Sequence, residues 1–490
     1  MQNVAKLVVM AATALVPSMA LAGPVASDAT GCAPGSRCIS TRSSGRPASS
    51  GTYVAQCRGK FADFIVPKDT IRSGYSGPWF QPEPLENATT NGPAATRPWM
   101  QFDPREEDER LRYLLALRNY AFTSKAVRAL TPTLTADSDY RDAAGGAVAQ
   151  SLRDQKWYPA PRMMFRRPNV PGAREASHGM TLERRVRPGE LGGNTEGFLN
   201  YAVAYYDARG AHTYQQVWSI ATPGKDVPNR SAMKVAEGGL VYKLLFSAAR
   251  AGAFPVDILK DSVKADVIPN AGGVKVPVRL LQIDIAVKDD RSDETGWYFA
   301  TYAYDRSVSH SSPWRRMVPV GLMWGNDPGG PSPDLEETWI NPDAPLYARN
   351  HLGVDGRLNG PVDNPDSACM SCHSTAQAES VADMLPEGEC NEPPFRAKWF
   401  RNLKGSVAFG RFTPTDTACD TTPPANAPVA ADYSLQLGAT VTRAIQANQS
   451  ATFNPCTWDT ASPPSTTPPP APPAAPGTSV APVFEIRRDR

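Results

Sequence analysis

The residues from 278 to 288 read Val-Arg-Leu-Leu-Gln-Ile-Asp-Ile-Ala-Val-Lys. Apolar and β-branched residues dominate this run, which is typical of a β-strand. Successive side chains of a strand point to opposite faces, so Gln282, Asp284 and Lys288 lie on one face. A charged segment, residues 289–293, follows and ends the strand. The run therefore predicts a strand with one carboxylate, Asp284, placed between its centre and the polar turn that ends it.

Similar strands are predicted on both sides of this one, at residues 198–206, 239–246, 297–304 and 317–322. Polar turns separate them, including residues 207–210 and 270–273, and no helical pattern intervenes. Short strands joined by turns indicate an antiparallel sheet. The fold class predicted is α+β: mainly an antiparallel β-domain, with helical and irregular Pro-rich additions.

Two helices are predicted outside the strands. The first begins at Asp103-Pro104, where Asp103 caps the helix and Pro104 fits its first turn. Its apolar stripe contains Leu111, Leu114, Leu115 and Leu117. The second is an amphipathic helix over 432–448. The predicted organisation is a signal peptide at 1–22, a Cys-containing arm at 23–60, an accessory helical or irregular region at 61–190, a β-rich domain with the C-x-x-C-H motif described below at 191–412, a helical and disulfide region at 413–460, and a Pro-rich tail at 461–490.

The N-terminus has the pattern of an export signal. Lys6 precedes an apolar run, Leu7 to Leu21, and Ala20-Leu21-Ala22 is a typical cleavage site. We therefore expect a periplasmic protein with no membrane span in the mature chain. The 51 basic and 49 acidic residues give no electrostatic case for binding nucleic acid.

The chain has eight cysteines, and two of them form the motif Cys369-Met370-Ser371-Cys372-His373. C-x-x-C-H is the spacing for covalent attachment of a c-type haem. Each thiol adds to one haem vinyl group, and His373 supplies the axial nitrogen ligand to iron. A zinc site would need further ligands, and a redox dithiol would need a strand-to-helix junction. We expect one covalent haem c, with iron on His373.

The other six cysteines are an even number, which in an exported chain indicates disulfides. They are Cys32, Cys38, Cys57, Cys390, Cys419 and Cys456. Their pairing stays open, because six cysteines allow 15 connectivities.

The sixth iron ligand stays open as well. Candidates are Met384, Met323, His310 and His351, with His178 a further histidine in a basic, Pro-broken stretch. None lies in a pattern that indicates a second axial ligand, whereas an electron carrier would have two strong ligands.

Three local motifs resemble the cytochrome P-460 and cytochrome c′-beta family of β-sheet c-type cytochromes. They are the strand 237–243 (Glu-Gly-Gly-Leu-Val-Tyr-Lys), the strand, charged turn and Gly-Trp-Tyr-Phe strand at 284–299, and the C-x-x-C-H motif, in the same order. The resemblance covers about residues 195–375. The longer spacing from Trp297 to Cys369, the long tail and residues 23–190 depart from the family.

The resemblance implies roles for two residues on the predicted sheet. Lys243 would cross-link to the haem edge, as in the hydroxylamine-oxidising members, and Asp284 would stand over an open iron position as a catalytic acid or base. Without the resemblance, Lys243 is a lysine whose stem lies along the sheet, and Asp284 lies on a solvated face in an Asp–Lys pair, either across strands or with Lys288 on the same face.

Three functions follow as alternatives. The first is a P-460-like haem oxidoreductase that binds or acts on hydroxylamine or nitric oxide. The second is an electron-transfer cytochrome with six-coordinate iron and a redox partner protein. The third is a non-catalytic haem-bearing subunit of a larger complex.

Overall fold

A computed structural model provides the structure of the chain. It describes residues 97–122, 158–159, 181–218, 228–267, 276–329, 335–379, 384–386, 388–393, 395–410 and 428–449. The predicted signal peptide, Cys-containing arm and Pro-rich tail lie outside these residues and stay predictions.

Nine strands of the described chain form one antiparallel sheet. They are β1 Tyr158–Pro159, β2 Thr181–Val186, β3 Phe198–Tyr206, β4 Leu240–Ser247, β5 Lys264–Val267, β6 Val276–Lys288, β7 Trp297–Tyr304, β8 Met317–Met323 and β9 Thr338–Ile340. The main order is β1-β3-β4-β6-β7-β8-β9, while β2 also pairs with β3 and β5 with β6. The expected antiparallel α+β fold is therefore confirmed, and β6 lies at the sheet centre.

Five α-helices accompany the sheet in the described residues. They are α1 Glu107–Phe122, α2 Ala208–Trp218, α3 Leu346–Arg349, α4 Cys369–His373 and α5 Leu435–Gln449. Two short strands, β10 Gln377–Ala378 and β11 Val429–Ala430, form a separate antiparallel pair beside α4 and α5.

One face of the sheet is covered by α1. Leu114 and Leu117 are fully buried with the even-numbered aromatic residues of β7, including Tyr302, whose hydroxyl donates to the Leu114 carbonyl at 2.7 Å. Arg118 is also buried and donates to the Met317 carbonyl at 2.9 Å. The predicted accessory region therefore contributes directly to the core of the sheet.

The opposite face is covered by α4 and by segments that follow it. Phe299, Met323 and Met370 are buried there in a second core that Trp399 and Tyr433 complete. Alternation along β7 separates the two cores, because residues 297, 299 and 301 face one way and residues 298, 300 and 302 the other. The sheet thus holds the C-x-x-C-H motif on one face and α1 on the other.

Three expectations about the helices need correction. Residues 207–210 begin helix α2 rather than forming a simple turn, since the Asp207 carboxylate accepts from the backbone N–H of Gly210 at 2.8 Å and caps the helix. Helix α1 begins at Glu107, and the Asp103 side chain instead accepts from the backbone N–H of Arg105. Leu111 is 41% exposed because the buried side of α1 runs through Leu114 and Leu117.

Candidate functional site

The C-x-x-C-H motif forms the short helix α4, pinned to the sheet by its inward side chains. Met370 is fully buried, and the Ser371 hydroxyl accepts from the backbone N–H of Ala368 at 2.8 Å, which caps the helix start. Cys369 and Cys372 are free thiols that keep partial exposure. The two sulfur-bearing residues and His373 therefore lie on a single rigid turn.

The His373 ring is oriented by a backbone carbonyl and an aromatic ring. Nδ1 lies 2.9 Å from the carbonyl oxygen of Tyr433, and the ring centroid is 4.8 Å from that of Phe299. A carbonyl can only accept, so Nδ1 carries the proton and Nε2 keeps its lone pair. Burial lowers the pKa of His373 to about 4, so the imidazole is neutral at pH 7. Neutral imidazole with a free nitrogen is the form that binds a metal.

Three polar side chains form a row across adjacent strands beside α4. Lys243 on β4 is the register partner of Asp284 on β6, which in turn is the partner of Thr301 on β7. The Thr301 hydroxyl donates to the Asp284 carboxylate at 2.9 Å, and the Thr301 oxygen lies 3.8 Å from the Cys369 sulfur. One hydroxyl group therefore separates Asp284 from the first cysteine of the motif.

A glutamine bridges Asp284 to a second carboxylate. Gln282 Nε2 lies 2.9 and 2.8 Å from the two oxygens of Asp284 and 2.8 Å from Asp363 Oδ2. The amide of Val362 donates to Gln282 Oε1 at 3.0 Å and so fixes which end of the glutamine faces the carboxylates. Gly360 approaches this bridge so closely that a side chain there would meet the glutamine and Asp363.

The Asp284 carboxyl is poised to exchange a proton near neutral pH. Burial raises its pKa from 3.8 to about 7, the Asp363 charge acts in the same direction, and Lys243, Gln282 and Thr301 oppose both. A carboxyl that titrates at this pH can serve as either an acid or a base. The predicted Asp284–Lys288 same-face pair does not form, since Lys288 binds Asp432 at 3.0 Å.

Lys243 lies beside Asp284 in this row of side chains but forms an ion pair with a third acid, Glu183. Its Nζ lies 3.3 Å from Glu183 Oε2, and its side chain is 34% exposed. An ion pair favours the charged ammonium, which has no lone pair to act as a nucleophile.

The cysteine thiols are protonated at neutral pH. Burial raises the pKa of Cys372 to about 12 and that of Cys369 well above its usual value. A redox dithiol operates through a low-pKa thiolate, so these cysteines do not have that character. Within the described part of the chain, no group of three or more His, Cys, Asp or Glu side chains could hold a metal ion.

The candidates for a sixth ligand are placed as follows. Met323 is fully buried in the core. His351 Nε2 lies 2.9 Å from the carbonyl oxygen of Asp363 and must donate to it, so this nitrogen has no free lone pair. His310 Nδ1 accepts from the Ser312 amide at 2.9 Å. Met384 is partly exposed. His178 lies outside the described residues.

Of the six cysteines outside the motif, only Cys390 lies among the described residues, and it is buried. The other five lie outside them, and the disulfide pairing stays a prediction.

Sequence reasoning missed three residues of the site: Thr301, Asp363 and Tyr433. Thr301 had a usable signal, because a hairpin closed by the predicted turn places it opposite Asp284. Asp363 and Tyr433 reach the site from loops, and loop positions carry no periodic pattern.

No protein family, curated protein or solved structure matches this chain. Among the described helices, none is long and apolar enough to cross a membrane.

Proposed function

We propose that this chain is an exported mono-haem c-type protein. Cys369 and Cys372 would hold the haem through thioether bonds, and His373 would be the axial ligand. The observation that carries the proposal is the hydrogen bonding of the two ring nitrogens of His373 on the C-x-x-C-H helix. Its Nδ1 is held by the Tyr433 carbonyl, and its Nε2 has no hydrogen-bond partner among the described residues. A metal-bound histidine typically donates its other ring N–H to a carbonyl or carboxylate in this way.

The residues around the motif fit a haem. Neither cysteine is in a disulfide, and each residue keeps partial exposure, so both sulfurs are available for thioether bonds. The wall beside them combines the apolar ring of Phe299 with the polar row Lys243, Asp284 and Thr301. A haem has an apolar body and charged propionates, and a wall of mixed polarity suits both parts.

A c-type haem supplies an iron that exchanges electrons and can take a small ligand at an open axial position. Within that proposal, Asp284 would hold or accept a proton from a small polar molecule such as hydroxylamine. Gln282 and Thr301 fix the orientation of the carboxyl group. The resemblance to the P-460 and c′-beta family supports hydroxylamine or nitric oxide as the ligand class. The cross-link of Lys243 is not part of the proposal, because its ammonium is paired with Glu183.

The open position distinguishes this function from electron transfer by a six-coordinate haem. Met323 is sealed in the core and His351 Nε2 donates to the Asp363 carbonyl, so neither atom is available to the iron. We propose an iron with one protein ligand, and ligation by Met384 or by His351 Nδ1 would contradict this. We expect the reduced protein to bind carbon monoxide rapidly and Asp284→Ala to slow hydroxylamine oxidation while sparing carbon monoxide binding. The exposed Asp343 provides the matched control, Asp343→Ala, which should leave both rates unchanged. A six-coordinate reduced spectrum with no carbon monoxide binding would instead support the electron carrier and its redox partner protein.

A further inference from the structure

Two consecutive residues before helix α5 have an uncommon backbone conformation. Asp432 has φ 45° and Tyr433 has φ 63°, and neither is glycine. Positive φ is unusual for a bulky residue such as tyrosine and persists only where the surrounding structure enforces it. Contacts in the surrounding structure therefore hold the segment in this conformation.

The Asp432 carboxylate in this segment is buried and accepts three hydrogen bonds. Oδ1 accepts from Lys288 Nζ at 3.0 Å and from Trp297 Nε1 at 2.8 Å, and Oδ2 accepts from the Val235 amide at 2.8 Å. Asp432 is 2% exposed, and Lys288 and Trp297 are register partners at the end of the β6–β7 hairpin. Gly405 closes over the pair, since a side chain there would meet both Asp432 and Lys288.

The next residue along the chain is the one that contacts His373. Tyr433 presents its carbonyl oxygen to His373 Nδ1 at 2.9 Å, while its hydroxyl donates to the Leu403 carbonyl at 2.7 Å. The carbonyl makes this contact with the backbone at 432 and 433 in its positive-φ conformation. A single residue thus connects the carboxylate of Asp432 to the imidazole.

We propose that Asp432 is a positioning residue for His373, acting through the Tyr433 carbonyl. The role of this contact at a haem rests on the proposed function. A hydrogen bond from Nδ1–H fixes the tautomer and ring orientation of a ligating histidine and increases its electron donation. Stronger electron donation by the histidine favours the oxidised metal. Loss of the hydrogen bond to the Tyr433 carbonyl should therefore shift the haem toward the reduced form.

The test uses the full haem-loaded chain with Asp432→Asn, Asp432→Asn combined with Lys288→Met, and Asp261→Asn. An asparagine replaces one acceptor oxygen with an NH₂ group, so at least one of the donors around residue 432 loses its acceptor. The double variant removes the unpaired buried ammonium that the single variant leaves. Asp261 is a matched control, because it also has positive φ (63°) but is exposed, and its neighbours Leu259 and Val263 are buried in the core that contains α1.

Two readouts separate positioning from mere stability. The first is the Nδ1–H signal of His373 in chain labelled with ¹⁵N-histidine, assigned with His373→Ala. The second is the ratio of reduced to oxidised haem at a fixed ambient potential. We expect the single and double variants to lose the hydrogen-bonded signal and to raise that ratio by about tenfold, which is the scale that loss of such a histidine partner has on metal affinity or activity. The control should match wild type.

A double variant with restored melting temperature, a wild-type Nδ1–H signal and a wild-type ratio would overturn the proposal and leave Asp432 a purely structural residue. A wild-type chain without covalent haem would instead overturn the proposed function. In that case the Nδ1–H signal alone decides the link between Asp432 and His373, and its loss in Asp432→Asn supports that link.

Discussion

The Asp284 carboxyl should make the stability of the protein fall as the pH rises through neutrality. Its pKa rises from 3.8 to about 7 on folding, mainly through burial and then through the Asp363 charge. The folded state therefore holds the proton more tightly than the unfolded state. Stability is lost as pH rises above 3.8, and the loss is complete above about pH 7.

The size of the effect follows from this shift. Three pKa units correspond to about 4 kcal/mol at most, since one unit is worth about 1.4 kcal/mol. Between pH 5 and pH 8 the linkage relation gives a stability change of about 2–3 kcal/mol. The partial exposure of Asp284 extends this range downward, to about 1–3 kcal/mol.

Asp284→Asn removes the titrating group and isolates this contribution. The free energy of unfolding, from urea titrations followed by far-ultraviolet circular dichroism, should favour the variant over wild type by about 1–3 kcal/mol more at pH 8 than at pH 5. The exposed Asp343 supplies the control Asp343→Asn, for which the difference from wild type should be the same at both pH values. Equal differences for Asp284→Asn at pH 5 and pH 8 would refute the argument that burial and Asp363 raise this pKa.

Two further predictions concern Lys243 and the tail. Because Lys243 is ion-paired with Glu183, Lys243→Arg should leave the absorption spectrum of the reduced protein unchanged; a move from a strongly red-shifted band to an ordinary c-type spectrum would reveal a cross-link. Residues 461–490, which lie outside the described residues, are rich in Pro, Ser, Thr and Ala, a composition that predicts too little apolar burial to offset the entropy of ordering. Their deletion should change neither the haem spectrum nor the melting temperature, whereas a large drop in either would show that the tail packs on the domain.

The strands were predictable because each has a local pattern with clear ends. Phe198–Tyr206 and Trp297–Tyr304 agree with the sequence prediction to the residue. Strand β6 begins two residues before its predicted start, since Val276 and Pro277 pair with β5. Helix α2 was missed because its polar first turn resembles a loop, although Ala211, Tyr214 and Val217 bury one side of it.

In the site, too, features within a short stretch of sequence were predictable, whereas contacts between distant residues were not. The cysteines and His373 form a linear motif that the sequence alone reveals. Asp363 reaches Gln282 across 81 positions, and Tyr433 reaches His373 across 60. Contacts over such separations depend on how loops close around the sheet, and no periodicity reports them.

Covalent haem on Cys369 and Cys372 can be measured by a pyridine haemochrome assay on purified mature protein, together with its intact mass. We expect one c-type haem per chain, lost when both cysteines are changed to serine and retained in His373→Ala with altered axial ligation. Protein that carries no iron, or haem that acid-acetone extracts from the chain, would contradict it.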